Sequence, residues 1–341
     1  MKPPTSMGLV TGLAISLATV ANAPAYASLI IDATFDPSIA SVSGAETAID
    51  AAIASIESQI SSPNNITVSI YFNNMTSGLG QSLTGFYSET YFNYYNALKA
   101  VATQPNQLTA LASLGVPPGP GTGNPVNGTK VIITSAEGRN LGFNTPGFIN
   151  GSNGCAGCGS VSYDSEISLN TSITSPPNGL SGNYSLESAA LHELDEALGI
   201  GGAGSTIGGT GFFATGVGDT DLYRYSAPGV RSYSTTAANS YFSINGGTTD
   251  LTNFNQNHTS GADYGDWLGG GAPQVQDAFG TPGANPSLGP NEITALNAIG
   301  YDIASVPEPS TLAIIVPVLL VGLLALRRRT SGQNSVQDWN V

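Results

Sequence analysis

The sequence predicts an α+β fold: a twisted, mostly parallel sheet with an antiparallel edge strand, backed by two or three helices. Three observations carry this. Apolar or alternating runs at Leu29–Phe35, Ile66–Phe72 and Lys130–Thr134 are separated by segments of helical period. A further helix, Ser185–Gly199, places a histidine and several acids on a frame of alanine and leucine. Beyond it, glycines, short polar residues and aromatics continue through Trp267, which predicts a loop-rich C-terminal part.

The elements follow in order. Leu29–Phe35 is the first strand. Ser43–Ser61 is a helix with Ile49, Ile53, Ile56 and Ile60 on one stripe, and Ser43-Gly-Ala-Glu46 has the spacing of a capping box. Pro63-Asn64-Asn65 turns the chain into Ile66–Phe72, where Ile66, Val68, Ile70 and Phe72 alternate with Thr67, Ser69 and Tyr71. Helical stretches are expected over Ser88–Thr103 and Gln107–Leu114, then a Pro/Gly loop over Gly115–Gly128, then a buried strand at Lys130–Thr134. Tyr163–Asn170 alternates Ile167 and Leu169 with polar residues and is expected to be an edge strand able to bind extended peptide by strand addition. A short helix, Glu292–Asp302, closes the domain at Gly300.

Ser185–Gly199 carries the chemistry. Leu186, Ala189, Ala190, Ala197 and Leu198 recur at helical spacing, Ser185 can cap the start, and Gly199 ends the helix. His192 and Glu196 stand at i and i+4, one turn apart, so both can reach one metal ion. Glu193 lies beside them, where a zinc-bound water needs a general base. The motif is HExxH with glutamate in place of the second histidine, a replacement that zinc accepts.

Composition narrows the partners. The net charge of −14 repels phosphate backbones, so nucleic acid is not expected as a partner. Residues 1–27 have the form of a secretory signal: Lys2, an apolar stretch from Met7 to Val20, and Ala25-Tyr26-Ala27 at the cleavage position. Cys155-Ala-Gly-Cys158, the one cysteine pair, is expected in an exported protein to form a local disulfide; a redox centre or a two-cysteine metal site are the alternatives. At the other end, Pro307-Glu308-Pro309 precedes the apolar run Thr311–Leu326 and then Arg327-Arg328-Arg329, with the arginines on the cytoplasmic side by charge. The expected organisation is a signal peptide at 1–27, one domain at 28–303, a sorting segment with a short membrane helix at 304–330 and a cytoplasmic tail at 331–341.

Two resemblances add to this. The order Pro-Glu-Pro, apolar helix, arginine cluster resembles the PEP-CTERM sorting signal of Gram-negative bacteria that make extracellular polysaccharide. It implies processing of the tail by a membrane protease of exosortase type, passage through the inner membrane, and delivery to the cell surface or extracellular matrix. The blocks Leu191–Gly199, Asp221–Arg231, Tyr241–Gly247, Asp263–Trp267, Val275–Phe279 and Ala295–Asp302 together resemble a bacterial family of PEP-CTERM-sorted metalloproteases with an HExxE helix. That resemblance implies a zincin-like domain with zinc as cofactor, and a protein or peptide as substrate.

In metzincins the helix runs on to a glycine and, three residues later, a third histidine. Gly199 matches that glycine, but position 202 is Gly, which cannot ligate. The first candidate for the third ligand is Asp221, followed by His258 and Asp219, while Tyr223 or Tyr225 could donate to an oxyanion. The expected activity is therefore zinc-dependent endopeptidase, with His192, Glu196 and Asp221 on the metal and Glu193 as base. The competing expectation is a non-catalytic matrix protein that keeps the zincin-like fold, favoured by a ligand set poor in nitrogen.

Overall fold

A computed structural model describes residues 28–150, 162–176, 182–236, 239–257 and 261–304. Residues 1–27, expected as a signal, Cys155, Cys158, His258, and residues 305–341, which hold nearly all of the expected sorting segment and tail, lie outside the described residues. In chain order the elements that place the site are β1 (Leu29–Phe35), α1 (Ala45–Gln59), β2 (Ile66–Asn74), β3 (Gly80–Thr84), β4 (Phe86–Thr90), α2 (Tyr91–Val101), α3 (Pro105–Leu114), β5 (Lys130–Thr134), α4 (Ser135–Asn140), β6 (Ser165–Leu169), α5 (Leu186–Leu198), β7 (Val217–Gly218), β8 (Arg224–Ala227) and α6 (Pro290–Ala298).

The fold is mixed α+β with several small sheets. The main sheet has the order β1-β2-β6-β3. Its first three strands are parallel, Leu29 pairing with Ile66 and Ile70 with Ser165, and β3 closes it antiparallel, Gly80 opposite Leu169. A second sheet of β7, β5 and β4 follows directly, because β3 and β4 are separated only by Gly85. The loop-rich part holds a small antiparallel sheet built on β8.

Three expectations change. The segment around Ile167 is an interior strand, paired on both sides, and the edge position belongs to Gly80–Thr84. The expected Ser88–Thr103 helix divides: Phe86–Thr90 is extended against β5, and Thr90 accepts from Asn93 N to start α2 at Tyr91. The capping box expected at Ser43 is absent, since Gly44 takes the N-cap position with φ 80° and no side chain caps it.

The core lies between the main sheet and the helices. α1 buries Ile49, Ile53 and Ile56, and α5 buries Leu186, Ala190, Leu191, Leu194 and Leu198 in the same cluster. Each such buried aliphatic side chain contributes about 1.5–3 kcal/mol relative to exposure. The small Ala189, Ala190 and Ala197 let α5 lie close to its neighbours, and Gly199 at φ 118° ends it in the left-handed region that favours glycine.

The end of the domain is clamped. Asp302–Ile303 pairs antiparallel with Ile60–Ser61, and Ala304 N donates to Gln59 O. Gln104 adds two bonds, Nε2 donating to Ile303 O at 3.0 Å and Oε1 accepting from Ile303 N at 2.9 Å. Buried Gln107 donates to Asp302 Oδ1 at 2.9 Å.

Candidate metal centre

The site forms where α5 passes β3 and the loop around Asp266. Ser185 Oγ accepts from Ser188 N and fixes the first turn, so His192, Glu193 and Glu196 keep their helical spacing. His192 Nε2 lies 3.8 Å from Glu196 Oε1 and 4.0 Å from Asp266 Oδ1. The three donor atoms lie within 4.8 Å of one another, the one such group of three among the described residues.

These residues fit a metal. Donors on a tetrahedral ion with bonds of about 2.0–2.2 Å stand about 3.3–3.6 Å apart, so closing the group needs side-chain shifts of up to about 1 Å. His192 Nδ1 stands 2.9 Å from the Val275 carbonyl, which holds a hydrogen on Nδ1, so that Nε2 is the nitrogen that would turn a lone pair to a cation once its own proton is displaced. Glu196 is oriented at both oxygens: Ser82 Oγ donates to Oε2 at 2.6 Å and Gly202 N donates to Oε1 at 3.0 Å.

Two glycines make room for the carboxylates. A Cβ at Gly80 would lie 2.3 Å from Glu193 Oε1, and one at Gly202 would lie 2.5 Å from Glu196 Oε1 and 2.8 Å from Asp263 Oδ2. Position 202 is where metzincins place their third histidine. Here its backbone N–H serves Glu196, and a side chain would collide with the acid it serves.

Electrostatics follow from burial of several acids around one imidazole. Burial works to lower the His192 pKa, but Asp266, Glu193, Glu196 and the Val275 carbonyl outweigh it and raise it to about 10. Asp266 is pushed up to about 7, by burial foremost, with His192 opposing. Burial and then Glu196 push Glu193 well above the carboxylate range, so it holds a proton towards Glu196. A cation binding here displaces protons.

Asp266 is the member of this group that sequence reasoning missed. It stands in the block Asp263–Trp267, but nothing in its spacing from His192 marks it. The loop is brought in by close packing: a Cβ at Gly265 would lie 1.8 Å from Gly201 O. Trp267 packs on Phe242 and Phe254 and donates to Glu292. Fully buried Arg224 binds the loop at both ends, donating to Tyr264 O at 2.6 Å and Asn255 O at 3.1 Å.

The structure does not bring Asp221 into the group. Its oxygens accept from Ser205 Oγ at 2.7 Å, Thr206 N at 2.8 Å and Gly218 N at 3.1 Å, which makes it the fastener of the glycine-rich loop after α5. Asp219 caps Thr220 N and faces the buried Glu137, and burial raises both acids, so they share a proton. Tyr223 is buried and donates to Ala298 O, and Tyr225 is buried beneath Arg231. Among the described residues no helix is long and apolar enough to cross a membrane, and the apolar run Thr311–Leu326 falls outside them. No family model matches the chain, and no match was found among curated proteins or solved structures.

Proposed function

We propose that this is an exported metal-dependent endopeptidase of zincin-like architecture, with zinc as the cation. The observation that carries the reading is the convergence of His192 Nε2, Glu196 Oε1 and Asp266 Oδ1, with Glu193 on the same helix beside an antiparallel edge strand. Asp266 takes the ligand role that the sequence suggested for Asp221.

Bound zinc supplies Lewis acidity, lowering the pKa of a water and polarising the scissile carbonyl. His192 donates its Nε2 lone pair while Val275 holds the other nitrogen. Glu196 and Asp266 each present one carboxylate oxygen, and Ser82 and Gly202 keep Glu196 from turning. Glu193 takes the proton from the attacking water and passes it to the leaving amine. In the metal-free protein burial and Glu196 keep Glu193 protonated; a bound cation, by offsetting the charge of Glu196, would lower its pKa and free it to accept that proton. Gly80 and Ser82 face α5, while Leu83 on the same strand is 57% exposed. An extended peptide would pair with the unoccupied edge of β3, its scissile bond brought beside Glu193.

Residues 1–27 and 304–330 support export and sorting to the surface, with transient anchoring in the membrane. The acid-rich donor set favours a second reading, in which the cation holds together a non-catalytic surface or matrix protein. Metal analysis with Glu193→Gln decides between them. On the peptidase reading the variant keeps its zinc and loses hydrolysis. A protein that binds zinc yet cleaves no peptide from a diverse library supports the matrix reading, and one that takes up no metal refutes both.

A further inference from the structure

Gln276 follows Val275 and addresses the other side of the His192 ring. Its side chain is fully buried. Nε2 lies 3.2 Å from Asp266 Oδ1 and 3.3 Å from His192 Nε2, whereas Oε1 has no hydrogen-bond partner among the described residues. A buried oxygen left without a donor is destabilising. The side chain cannot swing away, because Gly201 (φ 63°) walls it in: a Cβ there would lie 2.0 Å from Nε2 and 2.6 Å from Cδ. The main chain is fixed too, Gln276 N donating to Glu292 Oε1 and its carbonyl accepting from Trp267 N.

The Gln276 Nε2 stands where a cation would take electron pairs from Asp266 and from a deprotonated His192. A cation and the Nε2 hydrogens cannot share the space. A half-turn of the carboxamide exchanges oxygen for nitrogen without moving the rest of the side chain. It puts Oε1 about 3.2–3.3 Å from both donors, close to the edge of about 3.3–3.4 Å of a tetrahedron with bonds of 2.0–2.1 Å. The exchange gives Oε1 the electrophile it lacks. It also adds a donor without a further negative charge beside Glu193, Glu196 and Asp266. We propose that the Gln276 side-chain oxygen is a fourth protein donor to the cation, with the water of the hydrolytic reading as a fifth ligand, a step that rests on reading His192, Glu196 and Asp266 as a metal site.

The test is titration of the metal-stripped full-length protein with Zn²⁺ and with Co²⁺, reading affinity and the visible absorption of the Co²⁺ form. Gln276→Leu removes the donor at similar volume and should weaken binding by about 10-fold or more. Its Co²⁺ spectrum should also change in shape and intensity. Gln276→Glu keeps an oxygen in place and adds charge, so it should bind at least as tightly as the parent. The two variants separate the proposal from its rival. If Gln276 acted through its N–H groups, Gln276→Glu would be the damaging change, and weaker binding by that variant overturns the proposal. Unchanged affinity and spectra in both variants overturn it as well, while leaving the three-donor site standing. A parent protein that binds neither ion removes the metal reading itself. Melting in chelator shows whether Gln276→Leu folds; if it does not, the affinity of Gln276→Glu decides alone.

Discussion

Asp221 and Asp266 make opposite predictions for the same substitution. Asp221→Ala removes three hydrogen bonds of 2.7–3.1 Å to Ser205, Thr206 and Gly218, all to an ionisable acceptor inside the fold. It also removes a charge that opposes the burial lowering the Arg224 pKa to about 10. Breaking such a buried arrangement from one side costs about 3–5 kcal/mol. At about 2–4 °C per kcal/mol for a domain of this size, the metal-free midpoint should fall on the order of 10 °C. Asp266→Ala instead removes a donor and a buried acid whose ionisation is already disfavoured. Its metal-free midpoint should fall less than that of Asp221→Ala, because Glu193 and Glu196 still face His192, while zinc affinity drops by about 100-fold or more, beyond the range lost with a mere supporting partner. Thermal melting in chelator and zinc titration well below the midpoint read the two effects separately. An Asp221→Ala protein as stable as the parent but impaired in zinc binding, beside an Asp266→Ala protein with normal zinc binding, would refute the assignment.

Further outcomes are expected. Gly202→Ala should fold but bind zinc at least about 10-fold more weakly, because the new methyl displaces Glu196 and its N–H contact; unchanged binding by calorimetry would contradict this. Ser82→Ala should lower zinc affinity by about 10-fold through loss of the 2.6 Å bond to Glu196, and a rise would count against that orienting role. The metal-free protein should lose stability as pH rises. The raised Asp266 carboxyl contributes stability that is full below its unfolded value of 3.8 and is lost as pH rises through about 7. The raised His192 contributes stability that is full below 6.5 and is lost through about 10. Between pH 7 and 9 the His192 proton alone gives about 1.4 kcal/mol per pH unit, and a melting midpoint that rises with pH in chelator would contradict the sign.

What the sequence showed depended on whether the determinants were local. α5 was legible because its apolar period, its Ser185 cap and its Gly199 stop are all encoded within fifteen residues. The first two parallel strands were legible because buried apolar residues such as Leu29, Ile31, Ile66, Val68 and Ile70 recur at every second position. The edge strand was not, because Gly80, Ser82 and Thr84 are small where a strand usually shows large apolar residues, and it is Glu193 and Glu196 that need the space. Asp266 was hidden for a different reason: it reaches His192 through the fixings of Arg224, Trp267 and Gly265, none of which leaves a spacing rule. Asp221 attracted attention as an acid in a distinctive block, and the block proves to be the support of the loop that carries Asp266.

The clamp at the end of the domain has a mechanical meaning. If the tail beyond Ala304 holds the protein to a membrane or a matrix, any pull on that tether enters at Asp302–Ile303. The first resistance it meets is the short ladder to Ile60–Ser61 and the side chains of Gln104 and Gln107. Gln104 and Gln107 stand on α3 and its cap, and the ladder leads into α1, so the load divides between two helices before it reaches α5. Cutting Gln104 back to alanine would weaken one of these two load paths. A tethered domain would then peel from its C-terminal end at lower force while the group of His192, Glu196 and Asp266 still held its shape.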